Sequence, residues 1–164
     1  SRAVDEGDNL FNKVNELNEN RIPKLLQKFE EKVGGWQGKK VAVLGLSFKP
    51  NTDDMREAPA TKVIPILLSK GAVITSYDPM ASWKSFFRLE SLEKNHNQVT
   101  SIEEAVADAD CIISLIEWKE IISFNFSQTK KTGVSQIFID ARNQFDSTQL
   151  KQQGYEYFGV GNSN

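Results

Sequence analysis

Residues 40–80, KVAVLGLSFKPNTDDMREAPATKVIPILLSKGAVITSYDPM, decide how this chain folds. They open on an apolar run, Val41-Ala42-Val43-Leu44, that stops at Gly45. A polar loop holding Lys49, Asp53, Asp54, Arg56 and Glu57 follows, and Pro59 then starts an amphipathic segment. The pattern reads as strand, charged turn and helix, with a second short strand at Val73–Tyr77. Cations in a loop between a buried strand and a helix N-terminus suit the holding of an anion such as phosphate. Gly45 has no partner glycines, so the G-x-G-x-x-G cradle is absent and the loop is not the usual pyrophosphate seat.

Outward from this unit the same alternation continues. Short apolar strands are predicted at Lys40–Leu46, Val73–Tyr77, Cys111–Leu115 and Ile137–Asp140, with weaker candidates at Gln98–Val99 and Tyr155–Gly159. Helical segments fall between them at Ala60–Lys70, Ile102–Ala107, Phe126–Lys131 and Ser147–Gln153, with a short turn at Trp118–Ile121. Strands separated by helices imply crossover connections and a mostly parallel sheet covered on both faces. The fold class is therefore α/β, an open doubly wound sheet. The aromatic and polar stretch Met80–His96 carries no clear period.

Ahead of this unit, Asp8–Val33 places Leu10, Phe11, Val14, Leu17, Ile22, Leu25, Leu26 and Phe29 at three- and four-residue spacings. That is a long amphipathic helix, bent near Pro23 and ended by Gly34-Gly35. It either packs on its own domain or continues a longer helix from preceding sequence. The expected division is a helical segment over residues 1–36 and a globular domain over residues 37–164.

The 164 residues are 39% hydrophobic and 26% charged, with a net charge of −2, as in a soluble globular protein. That balance gives no general attraction to nucleic acid or to an anionic membrane, so a cationic site must be local. No apolar run approaches the ~20 residues that span a bilayer. With one cysteine there is no internal disulfide, and a reducing, cytoplasmic location is expected.

Ligands of doubly wound sheets bind beyond the carboxyl ends of the strands, where strand order reverses. Lys49, Asp78, Glu117 with Trp118, and Arg142 each follow a predicted strand, so all should share one edge. Lys49, Arg56 and Arg142 are expected to converge there into a cationic pocket; the ordinary alternative is pairing with Asp53, Asp54 or Glu57. Those acids read as orienting Lys49 and Arg56 and capping the helix near Pro59, with no metal site. Asp78 reads as a turn residue before Pro79, and Trp118 as a packing residue. Cys111 begins an apolar strand and reads as a buried thiol; His96, among amides, reads as a solvated loop residue. No nucleophile–base pair can be assembled, so no catalytic residue is assigned.

Gly45-Leu46-Ser47-Phe48-Lys49-Pro50, Thr52-Asp53-Asp54, Arg56-Glu57 and Pro59 closely resemble the G-[LF]-[AS]-F-K-P-x-T-D-D-x-R-E-[AS]-P loop of the UDP-glucose dehydrogenase family. In that family the loop opens the C-terminal, Rossmann-like domain. Asp140-Ala141-Arg142-Asn143 is similar to its D-x-R-N motif, and Val14-Asn15-Glu16 to the V-N-E of the helix leaving its central dimerisation region. Glu117-Trp118 matches its T-E-W except that Ile116 replaces threonine. The resemblance implies that Phe48, Lys49 and Arg142 contact a UDP-sugar and that Arg56 reaches NAD held mainly by a separate N-terminal domain. It implies a part in NAD-dependent oxidation of UDP-glucose to UDP-glucuronate, for polysaccharide biosynthesis, within a homo-oligomeric enzyme. The family's G-x-C-x-P-K-D cysteine motif does not occur in this sequence, so the chain alone should be inactive. Three alternatives stay open: the same domain of a GDP-mannose or UDP-N-acetyl-hexosamine dehydrogenase, a stand-alone nucleotide-binding or regulatory module, and a receiver-type signalling domain.

Overall fold

A computed structural model describes residues 21–87, 94–131 and 133–159. Its elements in chain order are α1 (Arg21–Val33), β1 (Lys40–Leu44), α2 (Ala60–Ser69), β2 (Val73–Tyr77), α3 (Trp83–Phe87), β3 (His96–Gln98), α4 (Ile102–Val106), β4 (Cys111–Ser114), α5 (Lys119–Ile122), a 3₁₀ turn (Phe126–Thr129), β5 (Gln136–Asp140), α6 (Ser147–Gln152) and β6 (Tyr155–Gly159).

The six strands form one sheet in the order β3-β2-β1-β4-β5-β6, and every pairing is parallel. The chain runs outward from β1 in one direction, then returns to β4 and runs outward in the other. This is the doubly wound arrangement, with its strand-order reversal between β1 and β4. Leu44 lies opposite Ser114, and Ser114 opposite Asp140, so β1, β4 and β5 end at the same level. A receiver domain has the order 2-1-3-4-5 instead, so that alternative is excluded.

Central strands buried on both faces need continuous apolar runs. Val41–Leu44, Cys111–Ser114 and Gln136–Asp140 are buried at every position. Phe126, Phe138 and Phe145 interlock edge-to-face at one side, with centroids 4.9–5.8 Å apart.

Of the span expected to form a long N-terminal helix, α1 covers Arg21–Val33, and residues 8–20 lie outside the described residues. Ile22, Leu26 and Phe29 form its buried stripe, and Phe29 meets Phe158 of β6 at 5.4 Å. Gly35 N–H donates to Glu30 O and Gly34 N–H to Glu31 O, both glycines at positive φ, which is a Schellman end. The indole of Trp36 then returns to Leu26 O at 3.1 Å. Residues Arg21–Val33 therefore pack against the domain, as the last turns of a helix arriving from preceding sequence also would. Among the described residues no helix is long and apolar enough to cross a membrane.

Two expectations are corrected. The third strand is His96–Gln98, not Gln98–Val99, and its polar edge sequence gave no apolar signal. His96 is not solvated: it is 8% exposed, lies opposite Ile74, touches Ser76 Oγ through Nε2 at 2.7 Å and meets Trp83 edge-on at 4.8 Å. Burial pulls its pKa down to about 4. Part of the unpatterned stretch is the short helix α3, while residues 88–93 lie outside the described residues.

Candidate functional site at the strand-order reversal

The site begins where β1 stops. Gly45 takes φ +98° and turns the chain beneath Ile116, whose Cβ and backbone nitrogen would sit 2.9 and 3.0 Å from an added Cβ. Only glycine satisfies both the backbone angle and this close approach. Gly45 N–H donates to Tyr77 O at 2.8 Å, coupling the turn to the end of β2.

The next residues are held by Asp78, at the end of β2. Its Oδ2 accepts from Leu46 N–H at 2.7 Å, Ser47 N–H at 2.9 Å and Ser47 Oγ–H at 3.0 Å. Its Oδ1 accepts from Met80 N–H at 2.8 Å and Ala81 N–H at 2.7 Å. From the other side of the reversal, the Trp118 indole N–H donates to Ser47 Oγ at 2.9 Å. Phe48 N–H closes the loop on Asp54 O at 2.7 Å, and Asn51 takes φ +66° at its tip.

After β5 the turn carrying Arg142 is organised by buried Asp140. That carboxylate accepts from Arg142 N–H at 3.2 Å, Phe145 N–H at 2.9 Å and the Tyr157 hydroxyl at 2.7 Å. Burial and the bond to Asp140 push the Tyr157 phenol up. Arg142 Nε lies 3.2 Å from Glu117 Oε2, an ion pair whose angle is too poor for a hydrogen bond. Gln144 Nε2 reaches back to Ser114 Oγ at 3.2 Å.

The loops bearing Phe48 and Lys49 and the turn bearing Arg142 thus leave the same sheet edge. Contacts join them in series: Ser47 to Trp118, then Glu117 to Arg142. Phe48 is 37% exposed, and Lys49 is exposed with no ion-pair partner among the described residues. Arg142 is largely enclosed, its side chain 17% exposed.

Arg56 is not drawn into this group. Its guanidinium, 80% exposed, folds onto Asp54 through Nε at 3.0 Å and Nη2 at 2.8 Å. That grip holds the Asp54 carboxyl down at about 2. The ordinary salt-bridge alternative therefore holds for Arg56. The expected capping role of the acids fails, because Pro59 is the helix cap and no side chain caps it.

Trp118 is buried, as expected, but it is also a hydrogen-bond donor to the loop. Cys111 is fully buried beside Asp110, and burial drives its thiol pKa up, away from a thiolate. Asp78 is a turn residue, as read, yet its three bonds to Leu46 and Ser47 were not foreseen. Glu117 and Tyr157 were likewise missed as supports of Arg142. The adjacency of first and second strands in such a sheet is the signal that could have found the Asp78 contacts.

The fold defines a Rossmann-like α/β domain whose strand order reverses between β1 and β4, the edge at which doubly wound sheets bind their ligands. Within that class, residues 42–147 match the UDP-binding domain of the UDP-glucose/GDP-mannose dehydrogenase family, and the chain belongs to that family. It is 35% identical over 146 residues to a UDP-glucose 6-dehydrogenase of Rhizobium meliloti, covering 88% of this chain and 32% of that protein. A UDP-glucose 6-dehydrogenase of Bacillus subtilis is 35% identical over 159 residues, covering 96% of this chain and 35% of that protein. An NDP-N-acetyl-D-galactosaminuronic acid dehydrogenase of Methanosarcina mazei Go1 superimposes with a TM-score of 0.72 at 26% identity, over 87% of this chain and 29% of the other. A UDP-glucose dehydrogenase of Pyrobaculum islandicum gives 0.64 at 28%, over 82% and 28%. The chain spans about a third of the length of the curated relatives it matches.

Proposed function

We propose that this chain is the C-terminal, nucleotide-sugar-binding domain of an NAD-dependent UDP-glucose 6-dehydrogenase, which oxidises UDP-glucose to UDP-glucuronate. In this reading residues 37–164 are the domain and residues 1–36 continue a helix from the central region of a longer, homo-oligomeric polypeptide. The observation that carries it is the shared sheet edge of Lys49 and Arg142, joined through Ser47–Trp118 and Glu117–Arg142.

Lys49 supplies a compact, exposed charge for one phosphate. Arg142, ion-paired with Glu117 through Nε at 3.2 Å, supplies a planar fork whose terminal nitrogens are assigned to the ligand. The exposed ring of Phe48 lies next to Lys49 in the chain and offers an apolar surface for the nucleotide sugar. Together they hold the substrate in register with reacting groups elsewhere in the polypeptide.

The residues present do not fit NAD as a principal seat. The amides of Gly45, Leu46, Ser47 and Phe48 all donate inside the protein, so the first turn after β1 offers none of them to a pyrophosphate. Arg56, exposed at the loop surface, is assigned a contact with NAD held by the rest of the enzyme. With Cys111 buried and its thiol protonated, the covalent chemistry also belongs elsewhere.

In the complete enzyme, Lys49→Ala and Arg142→Ala should each raise the KM for UDP-glucose by about tenfold or more. Unchanged KM in both variants refutes the binding role. The fold likeness to the N-acetyl-galactosaminuronic acid dehydrogenase favours one second reading, an acetamido-hexose substrate. Rates of NAD reduction with UDP-glucose, GDP-mannose and UDP-N-acetyl-hexosamines separate these sugars. An open reading frame without an upstream nucleotide-binding half would instead point to a stand-alone module.

A further inference from the structure

We propose that Asp78 is a positioning residue for ligand binding: its carboxylate fills, from inside the protein, the amide seat at the end of β1 and so fixes the loop that presents Lys49. The inference rests on the reading that Lys49 meets the nucleotide sugar.

In a dinucleotide-binding doubly wound fold, amides of the first strand-to-helix loop receive phosphate, and an acid near the end of the second strand grips a ribose. In this chain those two features bond to each other. Leu46 N–H, Ser47 N–H and Ser47 Oγ–H converge on Oδ2 of Asp78, while Met80 N–H and Ala81 N–H converge on Oδ1. Asp78 is 7% exposed and, among the described residues, forms no salt bridge, so five polar hydrogens balance its charge. That is how a protein cradles a bound oxyanion, except that here the oxyanion is a side chain.

Two consequences follow for the ligand. Its phosphates cannot use the amides of residues 45–48, the usual seat at the end of the first strand, which gives the Lys49 side chain its weight. The loop itself cannot relax toward the ligand, because Ser47 is held by Asp78 on one side and by Trp118 on the other. Lys49 therefore starts from a fixed base two residues beyond this clamp. A carboxamide cannot replace the clamp: it has one accepting oxygen and one donating nitrogen, so one of the two groups of amides would face a donor.

Steady-state kinetics of the complete enzyme, in wild-type and Lys49→Ala backgrounds, test the role. Asp78→Asn should raise the KM for UDP-glucose about tenfold with kcat within about threefold. In the Lys49→Ala background the same substitution should change KM by less than about twofold, since the residue acts through Lys49. Ser47→Ala, which keeps both amide bonds to Asp78 and loses the hydroxyl's bonds to Asp78 and to Trp118, should raise KM about threefold with the same dependence on Lys49. It carries the test should Asp78→Asn fail to fold. Equal rises in both backgrounds, or no rise where Lys49→Ala alone raises KM, overturn the positioning role. An unchanged KM for Lys49→Ala overturns the parent reading and this inference with it.

Discussion

The indole N–H of Trp118 donates to the hydroxyl of Ser47 at 2.9 Å across 71 residues of sequence, and that bond joins the loops on either side of the strand-order reversal. Trp118→Phe keeps most of the ring packing and removes the donor. The loss should be about 1–3 kcal/mol, or a melting midpoint lower by roughly 3–10 °C. Ser47→Ala removes the same bond from the other end, so a double-mutant cycle should give a coupling of about 1 kcal/mol. Strict additivity in urea titrations would remove the bond from the account of how these loops are held.

Arg142 offers a harder test of chemistry than its removal does. Arg142→Lys keeps the charge and the stem but loses the planar fork that can pair with Glu117 and a phosphate together. In the complete enzyme of the proposed function, the KM for UDP-glucose should rise by about tenfold with kcat little changed. Recovery of wild-type KM by the lysine variant would mean that charge alone matters at this position.

Gly45 separates steric need from backbone preference. Gly45→Ala meets both a positive φ and the Ile116 backbone at 3.0 Å, whereas Gly38→Ala meets a positive φ with nothing within 4 Å. The first should cost about 3 kcal/mol or more and the second about 1 kcal/mol. Urea midpoints of the two variants measure the gap; equal losses would show that the approach to Ile116 carries no weight.

The sheet was legible because its central strands are apolar and end on marked turns. Val73–Tyr77 and Tyr155–Gly159 were read at their true boundaries, and the shared edge of Lys49 and Arg142 followed from the alternation of strands with helices. What could not be read is register-dependent. The bonds from Leu46 and Ser47 to Asp78 depend on β1 and β2 being neighbours, and the Ser47–Trp118 bond on β1 and β4 being neighbours. His-Asn-Gln at β3 has no apolar signal of its own, so its placement comes from pairing with β2 and from Trp83. The helix after the Lys49 loop misled in another way: its acids looked like caps, but Asp54 is occupied by Arg56.

His96 makes the stability of the domain depend on pH. Its folded pKa is about 4 against an ordinary 6.5, because burial penalises the imidazolium. Between those values the unfolded chain binds the extra proton and the folded one does not, so stability is full above about pH 6.5 and falls as pH drops toward 4. The shift corresponds to roughly 3 kcal/mol across that window. His96→Gln keeps a polar side chain that can face Ser76 and removes the titration. Urea unfolding of the wild type and variant at steps from pH 7 to pH 4 should therefore give curves that converge toward acid. Curves that stay parallel would mean that His96 can take up its proton without leaving the core.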